Sequence, residues 1–182
     1  MRTKSLNAAR LLIVPVLALA GFAPLNAQAD LSDVEMAHVA VTASNIDIAY
    51  AHLALALSEN PEIRAFAETM IRDHSAVNGQ VVALAKKLNV QAMDNAMSRQ
   101  LLNDAKRIKD ELSRLRGADF DQRYASNELA YHRTVNGVVE DAFIPNIENG
   151  EVKAAFRQAL AIFRGHEKHA EQMVQGVMGM NE

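Results

Sequence analysis

Apolar residues recur at alternating steps of three and four along two long stretches of this chain. One runs through Ile63, Phe66, Met70, Val77, Val81, Leu84 and Leu88, the other through Val152, Phe156, Ala159, Phe163, Ala170, Met173 and Val177. That spacing lays a single stripe down an α-helix and does not fit a strand, whose side chains alternate faces with period two. A stripe of this length is stable only when other helices cover it. Beyond residue 29 only Pro61 and Pro145 interrupt the chain, and Ala, Leu, Met, Glu, Gln, Lys and Arg dominate it, all of them residues that favour helix. The chain is therefore expected to be all-α.

Five helices are predicted. The first runs from about Leu31 to Leu57, capped by Asp30 or Ser32. Asn60 caps the second, with Pro61 in its first turn. Residues 89–95 lack the pattern and read as a loop, after which Ala96 to Arg116 forms a third helix of roughly 30 Å, long enough to travel along a bundle. The fourth covers Asp119 to Phe143, with Pro145 and Asn149-Gly150 marking a turn, and the fifth carries the second stripe. Two long helices, a traversing helix and two more long helices predict a ferritin-like four-helix bundle with an additional crossover helix.

The first 29 residues carry Arg2, Lys4 and Arg10 without an acid, then the apolar run Leu11 to Phe22 and the ending Ala27-Gln28-Ala29. This order is that of a secretory signal peptide. The apolar run is too short for a spanning helix, which needs roughly 20 residues, so cleavage is expected between Ala29 and Asp30 with no transmembrane anchor left behind. A periplasmic or secreted location follows as an expectation. Removing 29 of the 182 residues leaves 153, enough for one domain at 30–182. The formal charge moves from -3 to -6, which disfavours nucleic acid as a partner. The chain has no Cys, so neither disulfides nor an N-terminal lipid can hold it.

His74 and His166 interrupt the two apolar stripes, and His132 lies on the face of the fourth helix that carries Tyr124, Glu128, Tyr131, Val135 and Val139. Three helices thus offer imidazoles to one interior. A neutral imidazole is a good ligand for zinc, copper, nickel or iron. Asp47, Asp73 and Glu128 are the nearest carboxylates along the chain, able to orient an imidazole or join it at a metal. The candidate metal site is therefore His74, His132, His166, Asp47 and Glu128, with a transition metal ion as the cofactor. The alternative is that each His is half-buried, bonds a neighbour and only fixes helix register.

A carboxylate-bridged di-iron centre needs two Glu-x-x-His pairs. Only Glu35-x-x-His38 has that form, and Ile71, Leu129 and Phe163 stand three residues before His74, His132 and His166. An ordinary ferroxidase site is disfavoured. Met70 with His74, the pair His166 and His169, and His169 with Met173 fall at helical spacings that suit copper, although Met at such positions is usually core. There is no Gly-x-Ser-x-Gly elbow and no Gly-rich phosphate loop, so hydrolase and nucleotide-binding readings have no support.

At Asp47, Phe66-Ala67, Met70-Ile71-Arg72-Asp73-His74, Asn78, Phe120-Asp121, Tyr124, His132 and His166 the chain resembles the exported bacterial ferritin-like domains of unknown function, often labelled putative outer-membrane proteins. The resemblance extends from about Val34 to Val174. It implies a ferritin-like bundle in the periplasm or cell envelope and carries no established reaction. The helix-one acid of that family is usually Glu, where this chain has the shorter Asp47. The outer-membrane label finds no barrel pattern here. The leading expectation is an exported bundle that binds a transition metal in envelope or metal stress. The alternative is a non-catalytic interaction module that meets an envelope partner.

Overall fold

The structure, a computed structural model, describes residues 31–179. The predicted leader and its cleavage site lie outside the described residues. The fold is an all-helical bundle with no strand among the described residues. Helix α1 spans Asp33–Leu57, α2 Pro61–Leu88, α3 Ala96–Leu112 and α4 Gly117–Val138. A π-helical turn, Val139–Phe143, continues α4 into the single turn α5, Ile144–Asn146, and α6 spans Gly150–Gly179.

Local chemistry sets these boundaries. The Ser32 hydroxyl and the Glu35 carboxylate cap each other's backbone at the start of α1, so Ser32 and not Asp30 is the cap. Asn60 Oδ1 accepts the Glu62 N–H at 2.9 Å, with Pro61 in the first turn of α2. Arg64 Nη1 donates to the carbonyls of Leu55, at 2.7 Å, and Ser58, at 3.0 Å, which supplies partners to orphan acceptors at the end of α1. Helix α2 stops where Asn89 turns left-handed, at φ 52°, a conformation Asn tolerates better than most residues.

Three predicted boundaries move. Helix α3 ends at Leu112, not Arg116, with the Ser113 N–H bonded to Lys109 O and the Arg114 N–H to Glu111 O in a tightening last turn. Helix α4 starts at Gly117, whose φ of +53° suits a residue without Cβ. The helical path that continues it does not end at Phe143 but passes Pro145 by widening. Proline has no N–H and its ring presses on the carbonyl four residues back, and the turn before it takes the five-residue spacing, with the Ile144 N–H bonded to Val139 O.

Helix α1 pairs along its length with α2, and α4 with α6, while α3 lies mainly against α1. The core has two apolar clusters. One gathers Ile46, Tyr50, Ile63, Phe66, Met70, Phe120, Tyr124, Ala170 and Met173; the other gathers Met36, Val39, Val139, Phe143, Val152, Phe156 and Leu160. Along α2, α4 and α6 the buried polar residues His74, Glu128 with His132, and His166 fall between the segments that serve these clusters, and Asp47 lies where the clusters meet on α1. The bundle therefore has a polar layer across its middle.

Among the described residues, α1 is long and apolar enough to cross a bilayer by length and composition. In this fold half of its most apolar window is buried against other helices, and Asp47 on it is fully buried, so α1 serves here as a core helix. The α2 stripe is also corrected. It is buried from Ile63 to Val77, but Val81, Leu84 and Leu88 are only half-covered.

Candidate metal centre

The polar layer brings together all five residues of the predicted site. Asp47 and Glu128 have no solvent exposure, and His132, His74 and His166 are 3%, 4% and 4% exposed. Each long helix contributes: α1 Asp47, α2 His74, α4 Glu128 and His132, and α6 His166. The ring centroids lie 5.9 Å apart for His74 and His132, 5.3 Å for His74 and His166, and 5.6 Å for His132 and His166. One nitrogen from each of these three imidazoles falls within 4.8 Å of the others, and an equally close group joins Asp47, Glu128 and His132. Two atoms each about 2.1 Å from one ion can be at most about 4.2 Å apart. Side-chain adjustments of a fraction of an ångström therefore bring either group to coordination spacing.

Hydrogen bonds at the back of two rings decide which nitrogen faces the centre. His132 Nδ1 lies 2.9 Å from the Glu128 carbonyl oxygen one turn earlier, an acceptor, so the proton sits on Nδ1 and the lone pair on Nε2. His166 Nε2 lies 3.0 Å from Asp73 Oδ2, which places its proton on Nε2 and the lone pair on Nδ1. A carbonyl or carboxylate behind the ring is the usual device for fixing a ligating imidazole. Arg72 Nε donates to the other Asp73 oxygen at 2.7 Å and holds the carboxylate in place. That pair stands at the surface, with the Asp73 side chain 24% exposed.

The inward atoms have no such partners. His74 Nε2 and His132 Nε2 approach Asp47 Oδ2 at 2.9 and 3.2 Å without the alignment of a hydrogen bond. Both Asp47 oxygens, both His74 nitrogens, His132 Nε2, His166 Nδ1 and Glu128 Oε2 are buried with no hydrogen-bond partner among the described residues. Each stranded polar atom costs about 1–3 kcal/mol, so a cluster of seven is a large concentrated penalty unless something takes up the lone pairs.

The electrostatics fit a set of neutral and anionic donors. Burial pushes the His132 imidazole down, against the pull of the Asp47 charge, and pushes His166 down to about 4, against its bond to Asp73. Both rings are neutral at neutral pH. Burial raises the Asp47 carboxyl, but the three imidazoles outweigh it and hold the group below its usual value. Burial first, then the Asp47 charge, keeps Glu128 well above the ordinary carboxyl range. Of the two, Asp47 is the one favoured as the anion and Glu128 the one that keeps its proton to higher pH.

A cavity of about 30 Å³ touches Asp47, His74 and His132 and is closed by Ser44, Tyr131 and Phe163. It is large enough for a water-sized ligand. The Phe163 ring stacks on His74, with centroids 4.3 Å apart and planes 11° apart.

The chain belongs to the DUF4142 family, a domain of unknown function. The family model matches residues 20–173, a span that contains the whole polar layer. No curated protein and no solved structure matches the chain. The family's description assigns no reaction, so the chemistry of the site stands on its geometry.

Other sequence candidates fall elsewhere. Glu35 caps α1 and His38 approaches Asp94 at 3.8 Å, so the lone Glu-x-x-His pair is not part of the centre. Met70 and Met173 pack in an apolar cluster, and His169 lies edge-on to Phe66 at 5.1 Å. Asp73 follows the sequence grouping only in part, because it serves His166 across the bundle and not its neighbour His74. Consecutive residues on a helix point about 100° apart, a signal that separates Asp73 from His74. The stacking of Phe163 on His74 joins two helices and has no signature in the sequence.

Proposed function

We propose that this chain is an exported, periplasmic, ferritin-like four-helix bundle that binds one transition-metal ion in its polar layer, with a role in envelope or metal stress. His74, His132 and His166 are the imidazole ligands, Asp47 the anionic one, and Glu128 a neighbour that ligates when ionised and donates a hydrogen bond when protonated. The observation that carries the reading is the convergence of buried lone pairs without partners. Three imidazoles and a carboxylate suit zinc, copper(II), nickel or iron(II) and not the hard cations magnesium and calcium. The pairing of α1 with α2 and of α4 with α6, with α3 between the pairs in sequence, supports the bundle assignment. The basic, apolar and small-residue order of residues 1–29 supports export.

The alternative is an interaction module whose imidazoles serve packing alone. It accounts for the outer hydrogen bonds of His132 and His166 but leaves the inward atoms stranded. Titration of metal-free protein with zinc, copper, nickel and iron(II), repeated on His74→Ala, His132→Ala and His166→Ala, separates the two. Binding that weakens in all three variants is the expected result. Wild-type affinity in all three would sink the interior site.

A further inference from the structure

Helix α3 and the turn after it carry a disproportionate share of the chain's positive charge. Residues 96–116 hold Arg99, Lys106, Arg107, Lys109, Arg114 and Arg116 against Asp104, Asp110 and Glu111, a surplus of three in a chain whose formal charge is -3, so the rest of the chain sums to -6. All six cations are exposed. Helical periodicity decides which side they occupy. Leu101, Ala105, Ile108 and Leu112 pack against the core, and at about 100° per residue Arg99, Lys106, Arg107, Lys109 and Arg114 fall on the opposite arc, with Asp110 as the acid among them. Arg99 is paired with Asp94, Lys106 with Asp110 and Arg107 with Asp104, while Lys109 and Arg114 form no ion pair among the described residues. Leu102 stands on the same arc, 53% exposed. Arg99 lies three residues before it, and Lys106 and Lys109 lie four and seven after it, so the exposed Leu is ringed by cations.

We propose that this outer face of α3 docks the bundle on an anionic phospholipid surface, with the cations at the lipid phosphates and Leu102 at the level of the headgroups. The proposal goes beyond the metal reading and does not depend on it, since no residue of the polar layer takes part. Three observations select the partner. The face is the outer side of one continuous helix of 17 residues, about 25 Å long, a convex strip that fits a plane. An exposed Leu among cations matches a surface that is anionic at the phosphates and apolar just beneath them, whereas an acidic polypeptide would leave Leu102 without a partner. The negative charge on the rest of the chain turns α3 toward such a surface and the other faces away. Pairing within the face does not cancel its charge, because five cations outnumber the acid on the arc. Each net cation near an anionic bilayer favours binding by roughly fivefold.

The test is co-sedimentation of tag-free protein recovered from its own cells with vesicles of mixed phosphatidylglycerol and phosphatidylcholine, and with vesicles of phosphatidylcholine alone. Saturable binding to the anionic vesicles is expected at about 0.1 M salt, where the Debye length is about 10 Å, and most of it is expected to be lost near 0.5 M as screening tightens. The double change Lys109→Gln and Arg114→Gln removes two cations and leaves the ion pairs of α3 in place. It is expected to weaken vesicle binding about tenfold or more. Leu102→Ser is expected to weaken it about threefold through lost apolar burial, with the salt dependence unchanged. Acylation of wild-type protein by a lysine reagent needs no variant. Anionic vesicles are expected to slow the reaction of Lys106 and Lys109 and to leave Lys87 and Lys168, exposed on α2 and α6, unchanged. Failure to bind anionic vesicles, equal binding to neutral ones, or no slowing at Lys106 and Lys109 overturns the proposal. So does wild-type affinity in the double variant. Wild-type affinity in Leu102→Ser overturns the bilayer as the partner and points to an acidic polypeptide instead.

Discussion

Asp73→Asn separates a metal site from a packing device, because the two accounts give it different consequences. Asn has the shape of Asp, so the change opens no cavity, and the Asp73 side chain is 24% exposed, so a lost contact there is partly replaced by water. The change acts on one hydrogen bond, 3.0 Å from Asp73 Oδ2 to His166 Nε2. Asp accepts only. It therefore fixes the proton on Nε2 and the lone pair on Nδ1, the stranded atom that faces the other imidazoles. Asn can present its amide N–H instead, since Arg72 Nε competes for its oxygen, and the ring then carries its proton on Nδ1, where it cannot ligate. Metal-free stability is expected to fall by less than about 1 kcal/mol, the ordinary worth of a part-exposed hydrogen bond, or roughly 2–4 °C in Tm for a domain of this size. Metal affinity is expected to fall about 10- to 100-fold, as when the partner behind a ligating imidazole is removed, equivalent to about 1.4–2.7 kcal/mol. Competition with a chromophoric chelator at pH 7 measures the affinity and a melt of metal-free protein measures the stability. Unchanged affinity would refute the assignment of His166 as a ligand set by Asp73.

Truncating His74 to Ala removes a buried ring stacked on Phe163. Ring loss, offset in part by relief of buried ring nitrogens, predicts a net loss of roughly 1–3 kcal/mol in metal-free protein, read by urea denaturation; a wild-type midpoint would contradict it. Metal-free stability is also expected to depend on pH through the layer. An unfolded chain protonates His132 and His166 below about pH 6.5, whereas the native one, with His132 lowered and His166 held down to about 4, resists it, so these groups make stability fall as pH drops from 6.5 toward 4. Glu128, held well above the ordinary carboxyl range, acts with the opposite sign: its contribution is full below the unfolded carboxyl pKa and is lost as pH rises through the folded one. Urea midpoints at pH 4.5, 6.5 and 8.5 check this, and a flat series would mean the layer titrates as exposed groups do. Intact mass of exported protein is expected to show a chain beginning at Asp30, and retention of residues 1–29 would remove the periplasmic assignment.

The helices and the convergence of the histidines were legible because both follow from one periodicity. A His at a stripe position of an amphipathic helix must point where its apolar neighbours point, and three such helices share one interior. Glu128 and His132, one turn apart, were paired by the same rule. The π-helical turn was not legible: Pro145 announces an interruption but does not say whether the helix stops or widens, which depends on how α4 and α5 pack. Nor was the apolar groove between α1, α2 and α6. Val81, Leu84 and Leu88 continue the spacing of Ile63, Phe66 and Met70 without a change in residue type, and only the fold leaves them half-covered in the wall of the groove. The exchange of partners between Asp73, His74 and His166 is likewise a tertiary fact, decided by which helix lies across from which.

The central claim is that the stranded lone pairs of the polar layer hold an ion. Its most direct test is the metal content of tag-free protein isolated from the periplasm of its own cells, by native mass spectrometry and elemental analysis of one sample. The account predicts close to one transition-metal ion per chain, lost together in the His74→Ala and His166→Ala proteins. Fully folded wild-type protein that carries no ion, and takes none up from excess zinc, copper, nickel or iron(II), would contradict it.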